Sequence, residues 1–169
     1  DVTINNTNGN QYSWVPVLDA AGNIAAEIYT NGNSPGLINT AAFVNSSGTI
    51  RSSGGKFYLD RNLSILPADT VPLKVRLYIK AAELAALQSA DPLINNEQHL
   101  QVTVTSNSCN QSRSTVVAVL YPDTVRLYNG DFYIEFETNV FGSFYVERQE
   151  TVVPVRLTHY TARCSEGRV

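Results

Sequence analysis

Two histidines, His99 and His159, are the first candidates for catalysis or metal binding in this chain. Histidine supplies a general base near neutral pH and is the commonest metal ligand in proteins. Neither histidine belongs to an H-x-H or H-E-x-x-H motif. The sequence also contains no G-x-S-x-G elbow and no phosphate-binding loop. We therefore predict that both histidines occupy ordinary strand or surface positions.

A pair of carboxylates, Glu135 and Glu137, lies two residues apart in the segment YIEFE. A glycosidase needs two carboxylates that face each other across a cleft, about 5–9 Å apart. Residues at i and i+2 of a strand point outward together on one face. We therefore predict that these two glutamates form a solvated face and not an acid–base pair.

A loop containing Asp91, Asn95, Asn96 and Glu97 offers oxygen atoms of the kind that calcium prefers. The loop lacks the ordered spacing of a calcium-binding loop, so we do not expect a metal there. With the histidines and the glutamates assigned as above, the sequence predicts a protein that is not an enzyme and that needs no cofactor.

Aromatic side chains offer a different kind of site. The chain has nine tyrosines, six phenylalanines and one tryptophan, and Tyr12 and Trp14 are spaced to share one face of the segment YSWVPV. Exposed aromatic rings stack on sugar rings, which makes Tyr12 and Trp14 a candidate sugar platform. Aromatic residues of β-sandwiches more often fill the core, so we favour a core position for Trp14 and keep the platform as the alternative.

The two cysteines, Cys109 and Cys164, lack the C-x-x-C spacing of zinc sites and thioredoxin-like motifs. In an oxidising compartment they can form a disulfide. The alternative is that they are two free or half-buried thiols. Spacing does not reveal whether they are close in space, so both alternatives stay open.

Composition excludes several classes of partner. The 169 residues carry a net charge of −3 and no basic stripe, so we expect no nucleic-acid partner. No apolar run approaches the about 18 residues that span a bilayer, so we expect no membrane insertion.

Charged residues make up only 16% of the chain, and Asn, Ser and Thr supply the polarity, as is common in secreted proteins. The chain contains no methionine, and we expect it to be a mature or excised segment.

The pattern along the chain predicts an all-β protein. Short runs with apolar and polar residues in alternation are separated by Gly and Asn turns, and we count about a dozen strands. The segments LDAAGNIAAEI and TVRLYNGDFYIEFET predict hairpins, the second with Asn129-Gly130 at its turn. The continuous apolar run STVVAVLY predicts a central strand. We expect an antiparallel two-sheet β-sandwich, Ig-like or jelly-roll-like, that forms one domain over residues 1–163, with 164–169 as a tail or the start of a following segment.

One segment departs from this pattern. AAELAALQSA, near residues 81–90, consists of good helix formers and ends before Asp91 and Pro92. A helix this short needs a surface to lie on. We predict that it crosses from one sheet to the other.

Several segments together resemble a known module. They are KFYLDRNLSILP, LKVRLYIKAAELAALQSADP, GSFYVER and VVPVRLTHYTAR. They resemble a β-sandwich module of large secreted proteins of the Bacteroidota, which use type IX secretion. In those proteins a segment similar to LPVRLLSFTAR follows the module. The resemblance covers about residues 14 to 163 and carries over no catalytic residue.

The resemblance has further implications. It implies a secreted protein, extracellular or on the cell surface. It also implies O-glycosylation at Asp-Thr followed by a small apolar residue, which selects Thr70 and Thr124. At the chain end, Cys164 stands where relatives carry an ordinary polar residue, and a bond to Cys109 would give that change a purpose.

Two functions follow as hypotheses. The first is a non-catalytic structural module of a surface adhesin or filament. It would pair with copies of itself or with neighbouring β-domains through a terminal strand bearing Val153, Val155 and Leu157. The alternative is a carbohydrate-binding module attached to a secreted polysaccharide-active protein, with glycans as partners.

Overall fold

A computed structural model describes residues 2–5, 7–47 and 49–150. The first sheet contains β1 (Val2–Ile4), β4 (Gly36–Val44), β5 (Arg51–Ser53), β6 (Lys56–Pro67), β8 (Leu100–Thr105), β9 (Val116–Leu120) and β12 (Gly142–Arg148). The second sheet contains β2 (Val15–Leu18), β3 (Ile24–Tyr29), β7 (Leu73–Ile79), β10 (Thr124–Tyr128) and β11 (Asp131–Thr138). All pairings in both sheets are antiparallel.

The strand order is β1-β4-β6-β12-β8-β9 in the seven-stranded sheet, with β5 also paired to β6, and β10-β11-β7-β3-β2 in the five-stranded sheet. Apolar residues of both sheets form one core between them. This confirms the prediction of an all-β, antiparallel two-sheet sandwich. The last residues of the predicted domain and the predicted tail, 151–169, lie outside the described residues.

Strand β7 shows how alternation builds the core. Leu73, Val75, Leu77 and Ile79 are buried, and each residue between them is only half-buried on the opposite face. Burial of one such aliphatic side chain contributes about 1.5–3 kcal/mol relative to exposure. A shift of one residue in register would expose all four, so the pattern fixes which face of the strand points outward.

The predicted helix is present as α1 (Ala81–Ala90), and it connects β7 of one sheet to β8 of the other. The Glu83 carboxylate accepts a hydrogen bond from the backbone N–H of Lys80 at 2.9 Å, which satisfies a donor at the start of the helix. Leu84 and Leu87 are buried, so the helix packs on the sandwich. The predicted crossover is confirmed.

Both predicted hairpins form. At the turn between β10 and β11, Asn129 and Gly130 have φ values of 50° and 85°, which fit the type I′ turn expected of Asn-Gly. The β2–β3 hairpin turns with Gly22 at φ 83°.

The prediction for STVVAVLY was wrong. The run forms β9, which lies at an edge of the seven-stranded sheet and pairs with β8 alone among the described strands. Val117 is 56% exposed. Continuous apolar character indicates burial on both faces, but here the outer face of the strand is open to solvent.

The centre of the seven-stranded sheet has a second buried layer on its outer face. All six residues of β8 are buried, and so are the first six of β12, although alternate residues point away from the core. Residues 106–115 cover them: Tyr145 donates a hydrogen bond to the Gln111 carbonyl at 2.9 Å, and Ser143 donates one to the Asn107 carbonyl at 2.7 Å. The seven-stranded sheet is therefore largely closed at its centre, while no such covering loop lies over the outer face of the five-stranded sheet in the described residues.

Candidate functional site

The outer face of the five-stranded sheet carries a row of aromatic side chains. They alternate with core residues along their strands, so they point away from the core. The ring of Tyr78 lies 5.4 Å from that of Tyr128 and 5.8 Å from that of Tyr133, measured between centroids. At the other side of the sheet, the rings of Trp14 and Tyr29 are 5.4 Å apart. In the described residues, no covering loop closes this aromatic face.

Arg76 on β7 holds this surface together. Its Nε donates a hydrogen bond to Glu135 at 2.8 Å, and its Nη1 donates one to Glu27 at 3.4 Å. The guanidinium carbon lies 3.7 Å from the ring centroid of Trp14 and 5.0 Å from that of Tyr133. Stacking of a guanidinium on both rings fixes their orientation before any ligand arrives.

Glu27 also accepts a hydrogen bond from the hydroxyl of Tyr78 at 2.8 Å. Burial, together with this bond to a carboxylate, raises the pKa of Tyr78. The phenol therefore stays protonated and keeps its position at any physiological pH.

A cleft of about 360 Å³ opens at one end of the aromatic row. This volume lies within the range of small-ligand sites, about 300–1,000 Å³. Tyr78 and Tyr128 belong to its lining, and Tyr128 is 44% exposed. Polar side chains from four separate parts of the chain complete it: Asp19, Asn23, Arg61, Lys80, Asn129 and Asp131. We call this the tyrosine cleft.

Tight turns and the helix start place the polar rim of the tyrosine cleft. Asp19 accepts hydrogen bonds at 2.9 Å from the backbone N–H groups of Ala21 and Asn23, and the bond from Asn23 contributes most to lowering the pKa of Asp19. Asp131 accepts one from the backbone N–H of Ala81 at 2.9 Å. Both carboxylates therefore have their positions set by backbone contacts.

Arg61, one of the two cations of the rim, is also held in place. Nε of Arg61 lies 3.1 Å and 3.2 Å from the two carboxylate oxygens of Glu83 on α1. The lining contains two aspartates together with one arginine and one lysine, so its formal charges balance. A balanced rim of amides, carboxylates and cations beside aromatic rings suits a neutral ligand rich in hydroxyl groups.

The predicted sugar platform is only partly on this surface. Trp14 is half-buried on the outer face and does not belong to the core, so the core position that we favoured is wrong. Tyr12 is 69% exposed and packs over the Gly32 turn, where an added methyl group would come within 2.7 Å of its hydroxyl oxygen. Sugar stacking on Tyr12 and Trp14 stays a prediction.

The structure places the remaining candidates for catalysis in ordinary contacts. His99 is half-buried, and its Nδ1 lies 3.4 Å from the Leu93 carbonyl oxygen. His159 lies outside the described residues. Glu135 is paired with Arg76 as described above, while Glu137 on the same face is exposed.

The side-chain oxygens of Asp91, Asn95 and Asn96 in the loop after α1 have partners within the loop or on a neighbouring arginine. The Asp91 carboxylate pairs with Nε of Arg148 at 2.9 Å, and Asn96 accepts a hydrogen bond from the backbone N–H of Gln98 at 2.9 Å. Among the residues that the structure describes, no three His, Cys, Asp or Glu side chains are grouped to hold a metal ion.

The predicted modification sites differ in accessibility. Thr70 is exposed in the connection between β6 and β7. Thr124 is half-buried at the start of β10, where its hydroxyl accepts a hydrogen bond from Nε of Arg126 at 3.3 Å. Glycosylation of either residue stays a prediction, with Thr70 the more accessible of the two.

Cys109 lies in the loop that covers the seven-stranded sheet. Its thiol is 3.1 Å from the Ala41 carbonyl oxygen, and the side-chain amide of Asn62 donates to its backbone carbonyl at 2.6 Å. Burial raises the pKa of this thiol. Cys164 lies outside the described residues, so the disulfide stays a prediction; the same holds for the pairing strand of Val153, Val155 and Leu157.

Comparison of the chain with protein-family models, with curated proteins and with solved structures found no match in any of the three. The resemblance to secreted modules of the Bacteroidota therefore stays a hypothesis. No helix in the described ranges is long and apolar enough to cross a membrane.

Proposed function

We propose that this chain is a non-catalytic module of a secreted or cell-surface protein, and that it binds carbohydrate in the tyrosine cleft. The observation that carries the proposal is the edge-to-face placement of Tyr78 and Tyr128, with ring planes 70° apart, in a cleft of about 360 Å³ with a polar, charge-balanced rim. The parent protein would be a surface adhesin, or alternatively a secreted polysaccharide-active protein to which the module is attached.

The chemistry of the cleft matches that of a sugar. A pyranose ring has apolar C–H faces, which pack against aromatic rings, and hydroxyl groups at its rim, which need donors and acceptors. The tyrosines supply the ring faces, and the side chains of Asn23, Asn129 and Asp131 supply acceptors and donors at the edge. Because the Tyr78 hydroxyl is already bonded to Glu27, which Arg76 holds in turn, little side-chain entropy of Tyr78 is lost on binding.

An extracellular location supports this function. The low content of charged residues, the Asn-, Ser- and Thr-rich surface and the resemblance to secreted modules all favour it. In that location the module would be exposed to extracellular glycans.

Replacement of Tyr128 by alanine is expected to weaken glycan binding by about tenfold, which corresponds to about 1.4 kcal/mol. The substitution removes one aromatic wall, and because Tyr128 is 44% exposed, it should leave the fold intact. A glycan array would identify the ligand, and isothermal titration calorimetry with that glycan would give the ratio of dissociation constants.

Tyr12→Ala is the matched control, because Tyr12 is the same residue type, is 69% exposed and lies outside the cleft lining. It should bind as tightly as the unaltered protein. A loss of binding for Tyr12→Ala with none for Tyr128→Ala would move the site to the Tyr12–Trp14 platform. No binding to any glycan at millimolar concentration would contradict carbohydrate binding altogether.

A further inference from the structure

The outer edge of β9 is an apolar strand that no other described strand covers. Its sequence, VVAVL, contains no charged residue, and Val116, Val117 and Val119 are 38%, 56% and 40% exposed. Ala118 and Leu120, on the other face, pack against the core. The strand therefore presents backbone donors and acceptors together with exposed valines, which is the arrangement that invites another strand.

The other sheet ends differ from β9. Strand β1 has only three residues, β2 contains Pro16, and β10 contains Arg126. Short length, proline and charge are the features by which natural proteins prevent edge-to-edge pairing. Only β9, among the four outermost strands of the described sheets, lacks all of them.

We infer that the free edge of β9 accepts residues 153–157 of a second copy of this chain as an added strand. The segment VPVRL places Val153, Val155 and Leu157 at every second position. Backbone N–H and C=O groups of successive residues point to opposite edges of a strand, so those of every second residue face the same neighbour. When these three residues bond to β9, Pro154 points away from it, where a missing N–H costs no ladder hydrogen bond.

The position of Glu150 indicates that the added strand comes from a second copy and not from the same chain. The backbone N–H of Gln149 bonds to His99 just before β8, so the chain leaves β12 at the start of β8. A strand beyond β9 lies three strand spacings from β12, about 14 Å. Arg148, near the end of β12, pairs with Leu100, whereas Leu120, at the end of β9, pairs with Val102. A chain that continues from Glu150 to the edge of β9 would therefore also have to turn back along the strand direction by at least two residues.

Three extended residues span only about 10 Å, and this is all the chain that separates Glu150 from Val153. Val153 of the same copy therefore cannot lie beside Val119, which is further along the sheet than Leu120. A second copy has no such restriction. Each copy would then donate one strand and accept one, a head-to-tail contact that builds a chain of modules if the ends do not close. This inference concerns assembly and is independent of carbohydrate binding.

The test uses the full 169-residue chain and two variants, Val119→Lys in the acceptor edge and Val155→Lys in the donor segment. A lysine in either strand opposes pairing because its charge would be desolvated in the contact. Light scattering after size exclusion should give a mass that rises with concentration for the unaltered chain and a monomer for each variant. An equimolar mixture of the two variants should form a heterodimer, because one retains the donor and the other retains the acceptor.

Leu66→Lys is the control for a general loss of surface hydrophobicity, since Leu66 is 49% exposed on β6 of the same sheet. It should associate like the unaltered chain. If Val119→Lys lowers the melting temperature, Val117→Lys, at the more exposed position, is the second acceptor variant. A monomeric unaltered chain at all concentrations, a Val155→Lys variant that still associates, or a mixture that stays monomeric would each overturn the inference.

Discussion

Replacement of Gly142 by alanine is expected to destabilise the folded state by about 2–4 kcal/mol, because it forces a methyl group into a neighbouring strand. An ideal Cβ at this position would lie 2.2 Å from the carbonyl oxygen of Thr105. Gly142 begins β12, pairs with Ile65 of β6, and has a φ of 155°. The methyl group can be accommodated only if β12 and β8 separate where Ser143 pairs with Thr105, in the middle of the seven-stranded sheet.

The measurement is urea-induced unfolding followed by the fluorescence of Trp14, the single tryptophan. Gly130→Ala is the matched control. Gly130 has a φ of 85°, but no atom would lie within 4 Å of an added Cβ. The Gly130→Ala substitution should therefore lower the free energy of unfolding only by the backbone strain of a left-handed residue, about 1–2 kcal/mol. Equal losses in the two variants would show that the close approach of Gly142 to Thr105 does not limit stability.

Local chemistry explains which parts of the fold were predictable from the sequence. The Asn129-Gly130 turn was predictable because a type I′ turn needs two residues that tolerate positive φ. The helix at residues 81–90 was predictable from its composition and from the Asp-Pro that follows. The place of β9 was not, because a strand lies at an edge or in the centre according to which strands neighbour it, and apolar content does not encode neighbours.

The candidate site was less accessible to sequence analysis than the fold. One signal was present, the alternation of Val15 and Val17 with Trp14 and Pro16. The structure turns the valines toward the core, with Val15 opposite Ile28 and Val17 buried, so Trp14 lies on the outer face. The tyrosine cleft itself had no such signal. Its lining comes from two hairpin turns, the start of α1 and a strand of the other sheet, and only the tertiary fold brings these together.

The buried layer over the seven-stranded sheet was also invisible in the sequence. Residues 106–115 have the composition of an ordinary polar loop, and nothing in SNSCNQSRS indicates that it folds back over β12. Its placement buries Glu147, which is 1% exposed although it points away from the core. Alternation along β12 would by itself predict that the Glu147 side chain is exposed to solvent.

Replacement of Glu147 by alanine is expected to destabilise the protein by about 3–5 kcal/mol, the usual cost when one partner of a buried ion pair is removed. Its Oε1 accepts hydrogen bonds from Thr103 at 2.7 Å and from Gln101 at 3.0 Å. Nε of Arg113 lies 2.7 Å from Oε2, close enough for an ion pair although it is not aligned as a hydrogen bond. The variant would leave the Arg113 guanidinium, whose side chain is 10% exposed, without its counterion. Urea unfolding again gives the change in free energy.

A double-mutant cycle separates the ion pair from the loss of packing. If the unpaired charge of Arg113 causes most of the loss, then adding Arg113→Ala to Glu147→Ala should recover part of the stability. We expect a coupling energy of about 1–3 kcal/mol, as is found for residues in one buried network. Lys56, which is 3.8 Å from Glu147 and also pairs with Glu150, keeps a partner in every variant. Purely additive losses would contradict this account and would assign the cost of Glu147→Ala to Thr103 and Gln101, whose donors would be left buried without an acceptor.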